Sequence, residues 1–121
     1  QAQVRTVQGI QVHVQRADGM DGAELRVLAD RLRDKLSSGV IALGAANEGK
    51  VSLLVVVSKD LLPRLRAGDL IKEMAGEVGG TGGGRPEMAQ AGGKNPERLG
   101  AALEKAFGLV ERAVTGSQAQ G

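Results

Sequence analysis

Seven of the fifteen residues from Gly79 to Gly93 are glycine, and the segment reads GGTGGGRPEMAQAGG. Glycine loses more backbone freedom on folding than any other residue, so such a run persists where the chain takes positive φ or passes close to something. The chemistry it permits is anion binding. Backbone N–H groups unencumbered by side chains at Gly82, Gly83 and Gly84 can form a nest for a phosphate or a ribose-phosphate edge. Arg85 beside them is a planar fork donor, and Pro86 stiffens the backbone that carries it. Residues Arg85 to Ala91 lack the composition of a flexible linker. The residues alone therefore leave two readings open, an anion-binding loop and a purely structural one.

The two familiar nucleotide fingerprints are absent. A P-loop needs glycine, lysine and then a hydroxyl residue, whereas Gly93-Lys94 is followed by Asn95. The dinucleotide pattern G-x-G-x-x-G fails because Gly80 with Gly82 would need glycine at Arg85, and Gly82 with Gly84 would need it at Glu87. Other chemistries are poorly supplied. There is no cysteine, and His13 is the single histidine, so metal catalysis is set aside. Phe107 is the one aromatic residue, which nearly closes the base-stacking route to single-stranded nucleic acid. Sixteen basic and fourteen acidic side chains are interspersed, giving a net charge of +2. Any nucleic-acid contact then comes from a local patch with a modest salt dependence.

The elements that must position the glycine segment follow from periodicity. Ile10, Val12 and Val14 alternate with Gln11, His13 and Gln15, which predicts a half-buried strand over Gly9 to Arg16. Val4 and Val7 either extend it or belong to residues 1–8, read as a connection from a missing upstream region. Asp21 as N-cap, Glu24 three residues on, and Leu25, Leu28, Ala29, Leu32 and Leu36 predict a helix from about Gly22 to Leu36. Val40–Ala46 and Val51–Ser58 form a hairpin about Asn47-Glu48-Gly49-Lys50, and the apolar run VSLLVVVS suits a central strand covered on both sides. A short helical turn, a second helix over about Gly68 to Val78, and a third helix capped by Asn95 with Pro96 at its first position complete the pattern.

This predicts a single α/β domain over residues 9–115, with a small mixed sheet (a hairpin plus one crossover strand) packed by about three main helices. The glycine-rich loop occupies 79–93 and a disordered tail 116–121. Lys59, Arg64, Arg66 and Lys72 read as solvated helix-face charges, Met74 and Met88 as core, and His13 as an exposed strand residue. No apolar run reaches the roughly 20 residues that span a bilayer, so a cytoplasmic protein without a membrane partner is expected. The start at Gln1 and the polar end suggest a piece of a longer chain.

The spelling of the glycine segment is specific. GGTGGGRPEMAQAGG, followed by an amphipathic helix, resembles the C-terminal DHH-associated domain of alanyl-tRNA synthetases, where GG-x-GGGRP-x-x-AQAGG precedes a terminal helix. LRVLADRLRDKL, VIALGAANEGKVSLLVVVSKDL and AGDLIKEMAGEVGG are similar to that family in order and spacing, and Arg85 stands where related DHH phosphodiesterases usually carry histidine. The resemblance implies a tRNA-binding tail that contacts the elbow of tRNA(Ala), supporting ATP-dependent aminoacylation and editing by upstream domains of the same chain. It implies no catalytic residue in this fragment, which is part of a ligase and not an enzyme by itself. ATP, magnesium and zinc would serve only the upstream domains, and homodimerisation of the full-length protein stays open.

Chemistry selects Gly82, Gly83, Gly84 and Arg85 as the RNA-binding set, with Gln90 for a base edge or sugar and Lys94 for a phosphate near the start of the last helix. The alternatives are a protein-interaction or dimerisation module, or the substrate-binding domain of a free-standing editing protein or a DHH phosphodiesterase.

Overall fold

The computed structural model describes residues 2–120, with side chains described through Thr115. Six strands and three α-helices follow one another as β1 (Ala2–Val7), β2 (Ile10–Arg16), α1 (Gly22–Lys35), β3 (Val40–Asn47), β4 (Lys50–Val57), α2 (Ala67–Glu77), β5 (Thr81–Gly84), β6 (Met88–Gly93) and α3 (Leu99–Gln120). The strands form one mixed sheet in the order β1-β2-β3-β4-β6-β5. All neighbours are antiparallel except β2 and β3, which run parallel across the α1 crossover, with Val12 opposite Val40 and Arg16 opposite Gly44.

The centre of the sheet is buried on both faces, as the apolar run of β4 requires. Leu54 and Val56 of β4 join Ile41, Leu43 and Ala45 of β3 under Leu25 and Ala29 of α1. Val51, Leu53, Val55 and Val57 point the other way, into a larger cluster with Leu70, Ile71 and Met74 of α2 and Leu99, Leu103, Phe107 and Val110 of α3. Three layers result, α1 over the sheet and the sheet over α2 and α3. Helix α1 starts where the sequence places it. Asp21 accepts from the Glu24 N–H at 2.8 Å, and Glu24 accepts from the Asp21 N–H at 3.0 Å, a complete capping box.

Three strands lie beyond the expected hairpin and crossover strand. Residues 1–8, expected as a connection, instead supply edge strand β1, paired from Ala2 opposite Gln15 to Val7 opposite Ile10, while Gln1 lies outside the described residues. The reversal is made by Gln8 (φ 51°) and Gly9 (φ 80°), a two-residue turn with both central residues left-handed. Glu48 (φ 53°) and Gly49 (φ 79°) turn β3 into β4 in the same way. The expected loop 79–93 is also corrected, since most of it is the β5–β6 hairpin.

Asn95 does not cap the last helix by its side chain. A 3-10 turn, Pro96–Arg98, precedes α3, and Asn95 contributes only its carbonyl, which accepts from the Arg98 N–H at 2.9 Å. His13 is half-buried rather than exposed, with its Nε2 2.9 Å from Gln15 Oε1. Met74 is fully buried and Met88 packs half-buried beneath α1. The tail expected over 116–121 falls on residues whose side chains are not described, and Gly121 lies outside the described residues.

Candidate nucleic-acid interface

Two constraints explain most of the glycines, and neither needs a ligand. The C-terminal end of helix α2 packs on β6, and β5 closes on β6, so tightly that side chains are excluded at both contacts. A Cβ on Gly93 would stand 2.4 Å from Val78 Cγ2, and one on Gly80 would run into the Gly92 carbonyl. At Gly82 it would meet the Ala91 Cβ at 2.3 Å and the Gln90 carbonyl oxygen at 2.4 Å. Gly84 combines φ of +154° with a would-be Cβ 2.7 Å from the Met88 carbonyl oxygen. Gly83 is different. Nothing lies within 4 Å of its added Cβ, and it is not among the positive-φ glycines.

The hairpin also decides where the backbone donors point. Arg85 and Met88 exchange hydrogen bonds at 2.9 and 3.3 Å, closing a tight reversal through Pro86 and Glu87. Hydrogen-bonded and non-bonded pairs alternate along an antiparallel ladder. Gly83 and Thr81 therefore turn their N–H and C=O groups inward to Gln90 and Gly92, and Gly82 and Gly84 turn theirs outward from the sheet edge. A three-residue nest at Gly82–Gly84 does not form, because the ladder takes the middle donor. The hairpin offers instead a side-chain-free edge.

The selected side chains separate into two groups. Arg85 stands at the tip with its side chain 72% exposed, its Nε 3.8 Å from Glu87 Oε2. A surface pair of that kind contributes about 0 to 1 kcal/mol, so Arg85 can exchange Glu87 for a phosphate. Lys94 is exposed just past the other end of β6, about 20 Å away along the six residues from Met88 at the usual strand rise. It borders a shallow groove made by Gly79, Gly80, Thr81, Gly92 and Gly93. Gln90 is partly committed, since its Nε2 donates to the Gly22 carbonyl at 3.3 Å and ties the hairpin to the start of α1.

Arg66 and Lys72, read from the sequence as solvated charges, are exposed as expected, and they also line a groove along the outer side of β5 with Gly83, Gly84 and Pro86. Their placement is fixed by a contact distant in sequence, the Ala67 N–H donating to the Pro86 carbonyl at 2.7 Å. Both side chains are exposed, and among the described residues neither has an acidic partner within ion-pair distance. The displaced titrations lie in structural clamps. Arg98 of the 3-10 turn and Lys105 of α3 hold the Glu77 carboxyl below its usual range and fasten the end of α2. Arg16 and the Ala46 N–H lower Asp18, and the Ser38 and Ser58 hydroxyls lower Asp60. Among the described residues no group of three or more His, Cys, Asp or Glu side chains could hold a metal, and no helix is long and apolar enough to cross a membrane.

A mixed sheet with two helix-bearing crossovers, through α1 and through α2, and a glycine hairpin at its edge define the class of fold. The model of the DHHA1 domain family matches residues 9–112, and the chain belongs to that family. It is 55% identical over 113 residues to an alanine–tRNA ligase of Anaeromyxobacter dehalogenans, covering 93% of this chain and 12% of the relative. A second such ligase, from Desulfosudis oleivorans, is 53% identical over 106 residues, covering 88% of this chain and 12% of the relative. Among solved structures, the C-Ala domain of Aquifex aeolicus alanyl-tRNA synthetase superimposes with a TM-score of 0.83 at 28% identity, covering 90% of this chain and 98% of that one. The chain spans about 12% of the length of the curated relatives but nearly all of the C-Ala domain. It is homologous to the C-terminal domain of alanyl-tRNA synthetase, as the glycine spelling indicates, and corresponds to one part of that enzyme.

Proposed function

We propose that this domain binds the elbow of tRNA(Ala) and acts as the tail of a cytoplasmic alanine–tRNA ligase, so that aminoacylation and editing by other domains share one tRNA. The observation that carries the reading is the β5–β6 hairpin, a side-chain-free edge with an exposed arginine at its tip. Such a surface suits recognition by shape, because it offers backbone and cationic contacts to phosphates and lacks aromatic platforms for unstacked bases. Gly82, Gly84, Arg85 and Lys94 are its contact residues, Gly83 gives clearance, and Gln90 braces the hairpin against the start of α1. ATP, magnesium and zinc belong to the domains that carry the chemistry, and this chain uses none of them.

Titrating the chain with intact tRNA(Ala) and with an acceptor-stem microhelix tests the proposal. The intact tRNA binds tighter, and equal affinity for both would remove the elbow. Arg85→Ala weakens tRNA binding by about 1 to 3 kcal/mol if the guanidinium makes a charge-assisted contact. Unchanged affinity would acquit Arg85 while leaving the domain as a tRNA binder.

A further inference from the structure

We infer that the groove between β5 and α2 is a track for a phosphodiester backbone, in which Arg66 and Lys72 supply the phosphate contacts. The inference rests on RNA being the partner and names the strip of surface and the moiety it takes. Arg66 and Lys72 stand on one wall, and Gly83, Gly84 and Pro86 form the other. The hydrogen bond from the Ala67 N–H to the Pro86 carbonyl brings the Cα atoms of Arg66 and Arg85 within about 11 Å of each other. Three cations from two stretches of sequence, Arg66 and Lys72 of α2 and its cap and Arg85 of the hairpin tip, thus flank one edge, and among the described residues Arg85 is paired with the half-buried Glu87 alone.

Charge complementarity with a polyanion follows. Asp69 is the one acidic residue lining this groove against Arg66 and Lys72, and with Arg85 and its partner Glu87 at the tip the edge carries three cations and two carboxylates. Gly82 and Gly84 direct main-chain groups outward along the same edge, and the absence of side chains over Gly82–Gly84 lets a backbone lie close. A linear polyanion fits better than a compact one, because the cations are spread along the strand. The exposed arginines of α1, Arg26 and Arg31, lie on the helix that covers the opposite face of the sheet.

The test measures binding of labelled tRNA(Ala) and of the microhelix from about 50 to 200 mM salt, where each phosphate contact contributes about 0.7 to 0.9 to the slope of log K against log salt. Arg66→Ala combined with Lys72→Ala lowers the slope by about 1.4 to 1.8, twice the contribution of one contact. Arg66→Lys with Lys72→Arg retains it, and Asp69→Asn tightens binding. Arg26→Ala with Arg31→Ala, which removes the same net charge elsewhere, leaves the slope unchanged. Circular dichroism confirms that each variant is folded.

A wild-type slope in the Arg66/Lys72 double variant overturns the track and leaves tRNA binding standing. An equal drop in the Arg26/Arg31 variant also overturns it, since bulk charge would then explain the effect. If tRNA and microhelix bind equally and the double variant still loses slope, the track stands and the elbow falls. Binding of neither RNA overturns both.

Discussion

Replacing Gly82 and Gly83 separately by alanine distinguishes a glycine required by packing from one that the fold leaves free. At Gly82 the new methyl would sit 2.3 Å from the Ala91 Cβ and 2.4 Å from the Gln90 carbonyl oxygen, so backbone must move and β5 must swing off β6. Overpacking of this kind costs about 1 to 3 kcal/mol. At Gly83 the methyl meets nothing within 4 Å. Alanine there restricts the unfolded chain and stabilises by about 0.4 to 1 kcal/mol. With an unfolding entropy of about 2.1 cal/mol/K per residue, 121 residues give roughly 250 cal/mol/K, so 1 kcal/mol shifts Tm by about 4 °C. Thermal unfolding followed by circular dichroism then reads a fall of about 4 to 12 °C for Gly82→Ala and a rise of about 2 to 4 °C for Gly83→Ala. The same Gly83→Ala protein should bind tRNA(Ala) more weakly, because clearance over the edge is what that glycine provides. Equal Tm shifts in the two variants would refute the packing argument, and undiminished RNA binding by Gly83→Ala would leave that position without a role.

Asp21→Ala opens the capping box of α1 and lowers stability by about 0.5 to 2 kcal/mol in denaturant unfolding. Gly76→Ala in α2 and Gly108→Ala in α3 meet nothing within 4 Å and each stabilise by about 0.8 to 1 kcal/mol, measured by the shift of the unfolding midpoint. Asp18, Asp60 and Glu77 are all held below their ordinary values of 3.8, 3.8 and 4.5, so their contribution is complete above about pH 4.5. It is lost as the pH falls through their lower folded values, and Glu77→Gln should make the acid limb of a stability-against-pH curve shallower.

The centre of this fold is legible because its signals are local. Asp21 and Glu24 mark the start of α1, Glu48-Gly49 marks a hairpin, and the doubly apolar Val51–Val57 announces a strand covered on both sides. The edges are illegible for physical reasons. β1 is exposed along nearly its whole length, so burial imposes no alternation, and the clue was Gln8-Gly9 as a left-handed turn. Glycine is depleted in strands, so Thr81–Gly84 carries no strand signal, and its conformation comes from the β6 ladder and the pressure of α2. The site divides in the same way. Arg85 was found through its neighbours in sequence, whereas Arg66 reaches the same edge only through the Ala67–Pro86 hydrogen bond between residues far apart in the chain.

Among the described residues the sheet ends in two strands with one free edge each, β1 on one side and β5 on the other. Bare edges invite strand addition, and joining the β1 edge of one molecule to the β5 edge of the next would extend without closing, since the two surfaces differ. Cations stand at both, Arg5 within β1, paired with Glu104 at 3.3 Å, and Arg66, Lys72 and Arg85 around β5. Like charges meeting across such a junction oppose it, and β5 presents only four residues for pairing. Light scattering by charge-neutralised variants at rising concentration tests whether the cations beside β5 oppose such end-to-end growth.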